Sequence, residues 1–283
     1  MKKIILSADS TCDLDDRLKE RYEVHCLPLH IILGDRQYKD GVDITPDDIY
    51  DTFQKHHLLP KTSAPNPAEY IDYFKKWTDR GYEVIHLSLG SGLSSSYQNC
   101  RIAAEELGNI YPIDSGNLST GTGLLVIAAA ERIAKGLDAG QIVQEVNELK
   151  PKVHASFVID QLTYLHEGGR CSAIAAIGAS LLNIKPCIEV DNTSGNMKLG
   201  KKYRGALAKV LKHYTVDQLN GQTNLQPDRI FITHSGTSSE NINLVKKTIE
   251  EIADFKEILI TRAGCTISSH CGPNTLGILF MSN

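Results

Sequence analysis

No apolar run in this 283-residue chain is long enough to span a bilayer, and the one near its start is too short for a secretory signal core. The opening MKKIILSADSTCDL begins like a signal, but its apolar stretch ends after Ile4-Ile5-Leu6 and meets Asp9, so it reads as a first strand. A cytoplasmic protein without a membrane-spanning segment is expected. Basic charge is also short. Lys and Arg total 30 against 34 Asp and Glu, the formal net charge is -4 and no basic stripe appears, which argues against nucleic acid as a partner. The seven cysteines (Cys12, Cys26, Cys100, Cys171, Cys187, Cys265 and Cys271) are scattered and contain no C-x-x-C pair. They imply neither a zinc knuckle nor a disulfide framework and read as small buried thiols.

Motifs for nucleotide and nucleophile chemistry are missing as well. A Walker loop needs a lysine for the phosphates, yet none lies between Lys76 and Lys135. A nucleophile elbow needs G-x-S-x-G, whereas Gly90-Ser91-Gly92 is followed by Leu93-Ser94. Gly121-Thr122-Gly123 does not extend to G-x-G-x-x-G, and no H-E-x-x-H, carboxylate pair or Ser-His-Asp spacing stands out. No catalytic residue, metal ligand or cofactor is therefore assigned.

What is present is an alternation of strand-like and helix-like segments, the pattern of an α/β fold. KKIILSA and VHCLPLHIIL read as strands, with a short helix in DLDDRLKERY and a turn or hairpin in GDRQYKDGVD. Thr45-Pro46-Asp47-Asp48 and Asn66-Pro67-Ala68-Glu69 each open a helix, and KTSAPN between them reads as a loop. YEVIHLSL is a buried strand leading to a helix that ends on Gly108. NIYPIDS is a further strand, followed by two helices. After Pro151 the pattern shifts to strands in HASFVID, KPCIEVD, MKLGKKYR, DRIFITHSG, KEILITRAG and TLGILFMSN, with helices around SAIAAIGASLLN, GALAKVLKHY and SENINLVKKTIEEIAD. CIEVDNTSGNMKLGKKY looks like two adjacent strands joined by a turn, so this half should be a mixed sheet. Two α/β domains are expected, residues 1–150 with a largely parallel sheet and 151–283 with a mixed one.

Between the YEVIHLSL strand and its helix lies SLGSGLSSSYQ, residues 88 to 98, with five serines and two glycines. A strand feeding such a loop into a helix is where α/β proteins hold ligands. Ser95-Ser96-Tyr97-Gln98 fits a capping box, so Ser95 and Gln98 are expected to cap the helix and leave Ser94 free. Free N–H groups at a helix start favour an anion, and without a cation a carboxyl suits better than a triphosphate. The residues alone leave open whether the serines bind a ligand or only cap the helix.

Other candidates carry equally plain readings. Thr62-Ser63 could donate hydroxyls to a ligand or satisfy local backbone. Ser268-Ser269-His270-Cys271-Gly272-Pro273 reads as a polar turn before the last strand, and His166-Glu167-Gly168-Gly169-Arg170 as a Gly-rich turn with an arginine. His56-His57, at a helix end, reads as solvated. STGTGLLVIAAA (119 to 130) and CSAIAAIGASLLNI (171 to 184) are free of charge and apolar or small on nearly all faces, hence core helices or walls of an apolar cavity. A hydroxyl-lined carboxyl site beside such a cavity would describe a fatty-acid pocket.

Taken in order, Asp9-Ser10-Thr11, Leu27-Pro28-Leu29, Lys61-Thr62-Ser63, Leu93-Ser94 with Tyr97-Gln98, Ile113-Asp114-Ser115, Gly168-Gly169-Arg170-Cys171-Ser172, Ile184-Lys185-Pro186, Arg204-Gly205 and His270-Cys271-Gly272-Pro273 resemble the DegV family over nearly the whole chain. The resemblance implies a two-domain protein that binds one long-chain fatty acid, such as palmitate, between its domains. It also implies a role in lipid transport or fatty-acid metabolism, as the non-catalytic subunit of a fatty-acid kinase whose separate ATP-dependent subunit makes an acyl-phosphate. Carried over, Thr62, Ser94 and His270 would hydrogen-bond the carboxyl, with Ser63 beside them, while Arg170 and Gly272 would shape the head-group region. Arg204 would dock the kinase or steady phosphate transfer. The chain departs from the family at Ser94-Ser95-Ser96-Tyr97, where Ser-Gly-Thr-Tyr is usual, and at Gly272-Pro273-Asn274, where Gly-Pro-Gly is usual. Glycine permits backbone conformations that serine resists, whereas asparagine tolerates positive φ. The rival readings are a small-molecule hydrolase or transferase using His270 with a loop serine, and a lipid carrier with no kinase partner.

Overall fold

In the computed structural model the described residues are 3–170 and 184–283. The helix expected around SAIAAIGASLLN, and most of the second charge-free stretch, lie outside them.

The chain opens with β1 (Ile4–Asp9), a single 3₁₀ turn over Ser10–Cys12, α1 (Asp16–Arg21) and β2 (Val24–Leu27). VHCLPLHIIL is not one strand. Pro28, which lacks a backbone N–H, separates β2 from β3 (His30–Leu33), and the two join different sheets. The expected hairpin forms between β3 and β4 (Arg36–Lys39). KTSAPN was expected to be all loop, but its first three residues are β5 (Lys61–Ser63), which pairs with β3 and sets Thr62 opposite Ile31.

Both proline-led helices begin as their residues dictate. In α2 (Pro46–His56) the Asp48 N–H donates to Thr45 Oγ1 and the Thr45 N–H to Asp48 Oδ2; Asn66 and Glu69 exchange the same bonds ahead of α3 (Pro67–Thr78). The chain continues through β6 (Glu83–Ser88), α4 (Ser96–Leu107) and β7 (Ile110–Asp114). The parallel sheet has the order β2-β1-β6-β7. Connections from β1 and β6 leave in opposite directions, so the carboxyl ends of these neighbours form a switch point, and the serine loop stands on it.

α5 (Ser119–Ala134) and α6 (Ala139–Leu149) follow. Residues 119 to 130 of α5 are all buried, because the helix packs against β1 and β6 on one side and, on the other, against strands of the second sheet. That position explains its lack of charge. The second sheet is mixed, in the order β10-β9-β8-β13-β11-β12. It comprises β8 (Val153–Val158), β9 (Ile184–Val190), β10 (Met197–Arg204), β11 (Leu225–His234), β12 (Glu257–Arg262) and β13 (Leu276–Ser282). As expected, β9 and β10 are an antiparallel pair; among the described residues only β11 with β12 pairs in parallel in this sheet. α7 (Leu162–Gly168), α8 (Leu207–Leu219), α9 (Ser239–Ile252) and α10 (Cys265–Cys271) complete the described elements. One apolar cluster, including Leu6, Ile85, Leu125, Phe157 and Leu279, runs through both sheets and α5.

Candidate functional site

A cavity of about 240 Å³ opens where β5, the loop after β6, the start of α5 and α10 converge. Thr62, Ser63, Ser94, Ser95, Arg170 and His270 supply its polar lining, while Leu29, Leu89, Leu93, Leu118, Met197 and Ile267 supply much of the apolar lining. Of the sequence-predicted residues, Thr62, Ser63, Ser94, Arg170 and His270 are thus brought together. Gly272 and Arg204 are not in the lining.

The serine loop is held from below by a buried carboxylate. Asp9, with no exposure, accepts from the Leu89 N–H at 2.8 Å and from the Tyr70 hydroxyl at 2.7 Å, and pairs with His86 Nε2 at 3.1 Å. His86 Nδ1 lies 2.9 Å from Ser7 Oγ, so the Asp9-Ser10 motif anchors backbone under the cavity and does not enter it. The glycines of the loop answer a need for space. A Cβ on Gly90 would stand 2.8 Å from the Asn117 backbone nitrogen, and one on Gly92 would overlap the Ser194 carbonyl in the β9–β10 turn.

The expected division of labour within the loop is corrected here. Ser95 precedes α4 but makes no side-chain capping bond, because its backbone, at φ -79 and ψ 1, is not in the extended conformation of an N-cap. Ser94 takes the local role instead. Its Oγ accepts from the Ser96 N–H at 3.2 Å and lies 3.1 Å from Ser96 Oγ. When Ser96 donates in that second contact, the Ser94 hydroxyl proton remains free to point into the cavity.

The opposite wall is a helix, not the polar turn that SSHCGP implied. The seven residues of α10 begin where two buried acids from the first half of the chain meet its N-terminus. Asp13 accepts from the Gly264 N–H at 2.9 Å and the Ser119 hydroxyl at 2.5 Å. Asp40 accepts from the N–H groups of Cys265 at 2.7 Å and Thr266 at 3.3 Å, and from Ser10 Oγ at 2.9 Å. Burial pushes the Asp13 carboxyl up to about 7, although its two donors oppose the shift. Sequence reasoning missed both acids as site-builders. Asp40 carried no signal beyond its place in a KDG turn, and the helix it holds begins more than two hundred residues later.

One turn after that anchor, His270 Nε2 lies 2.8 Å from Thr62 Oγ1 on β5. Its Nδ1 is buried without a hydrogen-bond partner among the described residues, and the backbone of Gly168 packs on that side so closely that a Cβ there would collide with the ring. Burial, helped by the positive charge of Arg170, lowers the imidazole to about 4, so it is neutral at ordinary pH. The segment read as a Gly-rich turn is the end of α7, closed by Gly169 in the left-handed conformation. Arg170 follows it, exposed, donating to the Gly168 carbonyl at 2.8 Å.

Gly272 terminates α10 with φ +70, where a Cβ would stand 2.5 Å from the Tyr164 ring, and its carbonyl accepts from Ser235 Oγ. It lets the helix of His270 end against that ring. Asn274 has φ 64, the positive value its residue type tolerates, and its amide donates to Asp160. Arg204 is exposed at the end of β10, the outer strand of the mixed sheet. Among the described residues no group of three His, Cys, Asp or Glu side chains could hold a metal ion, and no helix is long and apolar enough to cross a membrane.

The sequence pattern of the family described as "Uncharacterised protein, DegV family" matches residues 3–283. The chain belongs to the DegV family. A DegV domain-containing protein of Clostridium perfringens is 32% identical, with 100% of this chain and 99% of that protein covered. Among solved structures, a fatty-acid-binding DegV family protein of Thermus thermophilus is 27% identical, covers 99% of this chain and 100% of its own, and superposes with a TM-score of 0.87. A stearic acid-binding protein of Eubacterium ventriosum is 26% identical, with 100% and 98% covered and a TM-score of 0.83. Both structures carry the same α/β arrangement of a parallel and a mixed sheet as this DegV chain.

Proposed function

We propose that this protein binds one long-chain fatty acid, such as palmitate, with its carboxyl held by Thr62, Ser94 and His270 and its tail in the apolar part of the cavity. The ligand would lie between residues 1–150 and 151–283, the two domains of this reading. The observation that carries it is the pairing of Thr62 with a neutral His270 at one side of a cavity whose apolar lining is supplied largely by leucine, isoleucine and methionine. With its proton on Nε2, His270 donates to Thr62 Oγ1 and so holds the carboxyl through Thr62, whose own hydroxyl is left to donate to the carboxylate. Ser94 supplies a second hydroxyl proton, and Arg170 adds positive charge at the rim.

The tail dominates affinity in this reading. Burial contributes about 0.8 kcal/mol per CH₂, against about 1 kcal/mol net for each neutral hydrogen bond at the head group, before ordering costs. The head-group residues therefore position more than they attract. A positioned, exposed carboxylate end suits transfer to an ATP-dependent kinase subunit that forms an acyl-phosphate, with exposed Arg204 facing that partner. The protein itself would be the non-catalytic member of the pair. The hydrolase reading is disfavoured because His270 pairs with Thr62, not with a serine of the loop, and no carboxylate among the described residues orients its ring.

Solvent extraction of the purified protein followed by mass spectrometry is expected to release a long-chain fatty acid in near-stoichiometric amount. A Thr62→Val and Ser94→Ala double variant, short of two hydrogen bonds of about 1 kcal/mol each, should retain less of it and bind it roughly thirtyfold more weakly. Unchanged occupancy in that variant would refute the head-group assignment, and an absence of acyl-phosphate after addition of kinase subunit and ATP would refute the presentation role.

A further inference from the structure

Two thiols that the cavity does not use meet at the outer edge of the parallel sheet. Cys12 ends the 3₁₀ turn after β1 and is fully buried. Cys26 lies in β2, the edge strand of that sheet, and is partly exposed. Their sulfurs are 3.8 Å apart. Cys26 keeps some exposure to solvent, whereas Cys12 has none.

We propose that Cys26 and Cys12 form a thiol–disulfide exchange site for low-molecular-weight disulfides, with Cys26 as the attacking thiol and Cys12 as the resolving thiol. The electrostatics of the pair fit these roles. The hydrogen bond from Cys12 lowers the Cys26 thiol, with Lys19 on α1 adding to the effect, whereas the same bond and burial push Cys12 well above its ordinary range. These directions, together with the greater exposure of Cys26, favour Cys26 as the thiol that ionises first. By contrast, burial raises Cys187, Cys265 and Cys271 to about 12, and raises Cys100 well above the usual thiol range.

The exchange proceeds in two displacements. The Cys26 thiolate attacks one sulfur of the small disulfide, forming a mixed disulfide and expelling one small thiolate. Cys12 then gives up its proton to solvent, and its sulfur attacks the Cys26 sulfur, expelling the second small thiolate. The two electrons lost by the protein reduce the small disulfide to two thiols. The resulting bond ties the 3₁₀ turn after β1 to β2. Neither displacement depends on what the cavity binds, so failure of the fatty-acid reading would leave this site untouched.

The test treats the reduced full-length protein with oxidised glutathione, blocks remaining thiols by alkylation and maps the peptides. A Cys12–Cys26 cross-link is expected, with glutathione trapped on Cys26 in a Cys12→Ser variant. Independently of that variant's folding, iodoacetamide should label Cys26 of the reduced wild-type protein at least roughly tenfold faster than Cys100, Cys187, Cys265 or Cys271, the ratio of one pKa unit. Equal labelling rates, or a glutathione adduct on wild-type Cys26 that never resolves to the cross-link, would overturn the proposal.

Discussion

The two walls of the cavity are built by opposite means. On one side, the serine loop gains its shape from the absence of side chains: Gly90 and Gly92 let backbone lie against Asn117 and Ser194, and Ser94 completes a local turn with Ser96. On the other, α10 gains its position from charge, with Asp13 and Asp40 reaching from the first half of the chain to satisfy its first N–H groups. The loop also rests on carboxylates, Leu89 N–H on Asp9 and Ser91 N–H on Asp114, but what sets its path is how closely its glycines let backbone approach backbone. A short helix depends on its carboxylates more directly, since its first-turn donors have no partner within the helix.

This contrast can be broken from the charged side first. Asp40→Ala removes the acceptor of three donors at once, leaving two buried N–H groups unsatisfied, and should cost about 3 kcal/mol or more of stability, read as a lower urea midpoint. The crowded side should give next. Gly92→Ala places a methyl group against the Ser194 carbonyl at a position whose φ is not strained, so a loss of about 2 kcal/mol would come from overlap alone. A Gly92→Ala protein with wild-type stability would show that the turn yields freely and that space does not fix this wall.

The pH dependence distinguishes two groups within the charged wall. His270 in the folded protein, at about 4, lies below its ordinary 6.5. Its contribution is therefore complete above pH 6.5 and is lost as pH falls towards 4, by of order 2 kcal/mol once discounted for the part of the ring facing the cavity. Asp13 has the opposite sign. Its folded value of about 7 exceeds the ordinary 3.8, so its contribution is complete below 3.8 and is lost as pH rises through 7. Urea titrations at pH 7 and pH 4.5 should show His270→Gln flattening the acid-side loss. The smallest effect is expected at Ser94→Ala, about 1 kcal/mol, as the Ser96 N–H loses its acceptor while backbone packing of the loop remains.

Much of the local structure was legible in the residues. Thr45 and Asn66 announced their helices because capping is a matter of three or four neighbouring positions, and the β9–β10 hairpin followed from two strand patterns joined by a turn. Ser95 misled because a capping box is a statement about backbone conformation as well as residue type, and the loop before α4 turns too tightly to supply the extended one. KTSAPN read as loop because three residues are too few to show a period, and β3, which pairs with them, lies some thirty residues earlier.

By itself, then, the sequence determined the α/β class, the charge-free helix between the sheets, and, through the DegV resemblance, which side chains to watch: Thr62, Ser94, Arg170 and His270. Composition and short-range pattern suffice for these because they depend on periodicity and on neighbours along the chain. Only the tertiary structure decided that Thr62 faces His270, that Met197 and Leu118 close the cavity, and that Asp13 and Asp40 hold the helix on which His270 stands. Each of those contacts joins distant segments, and which distant groups meet is fixed by how the two sheets pack around α5, a property of the whole chain at once.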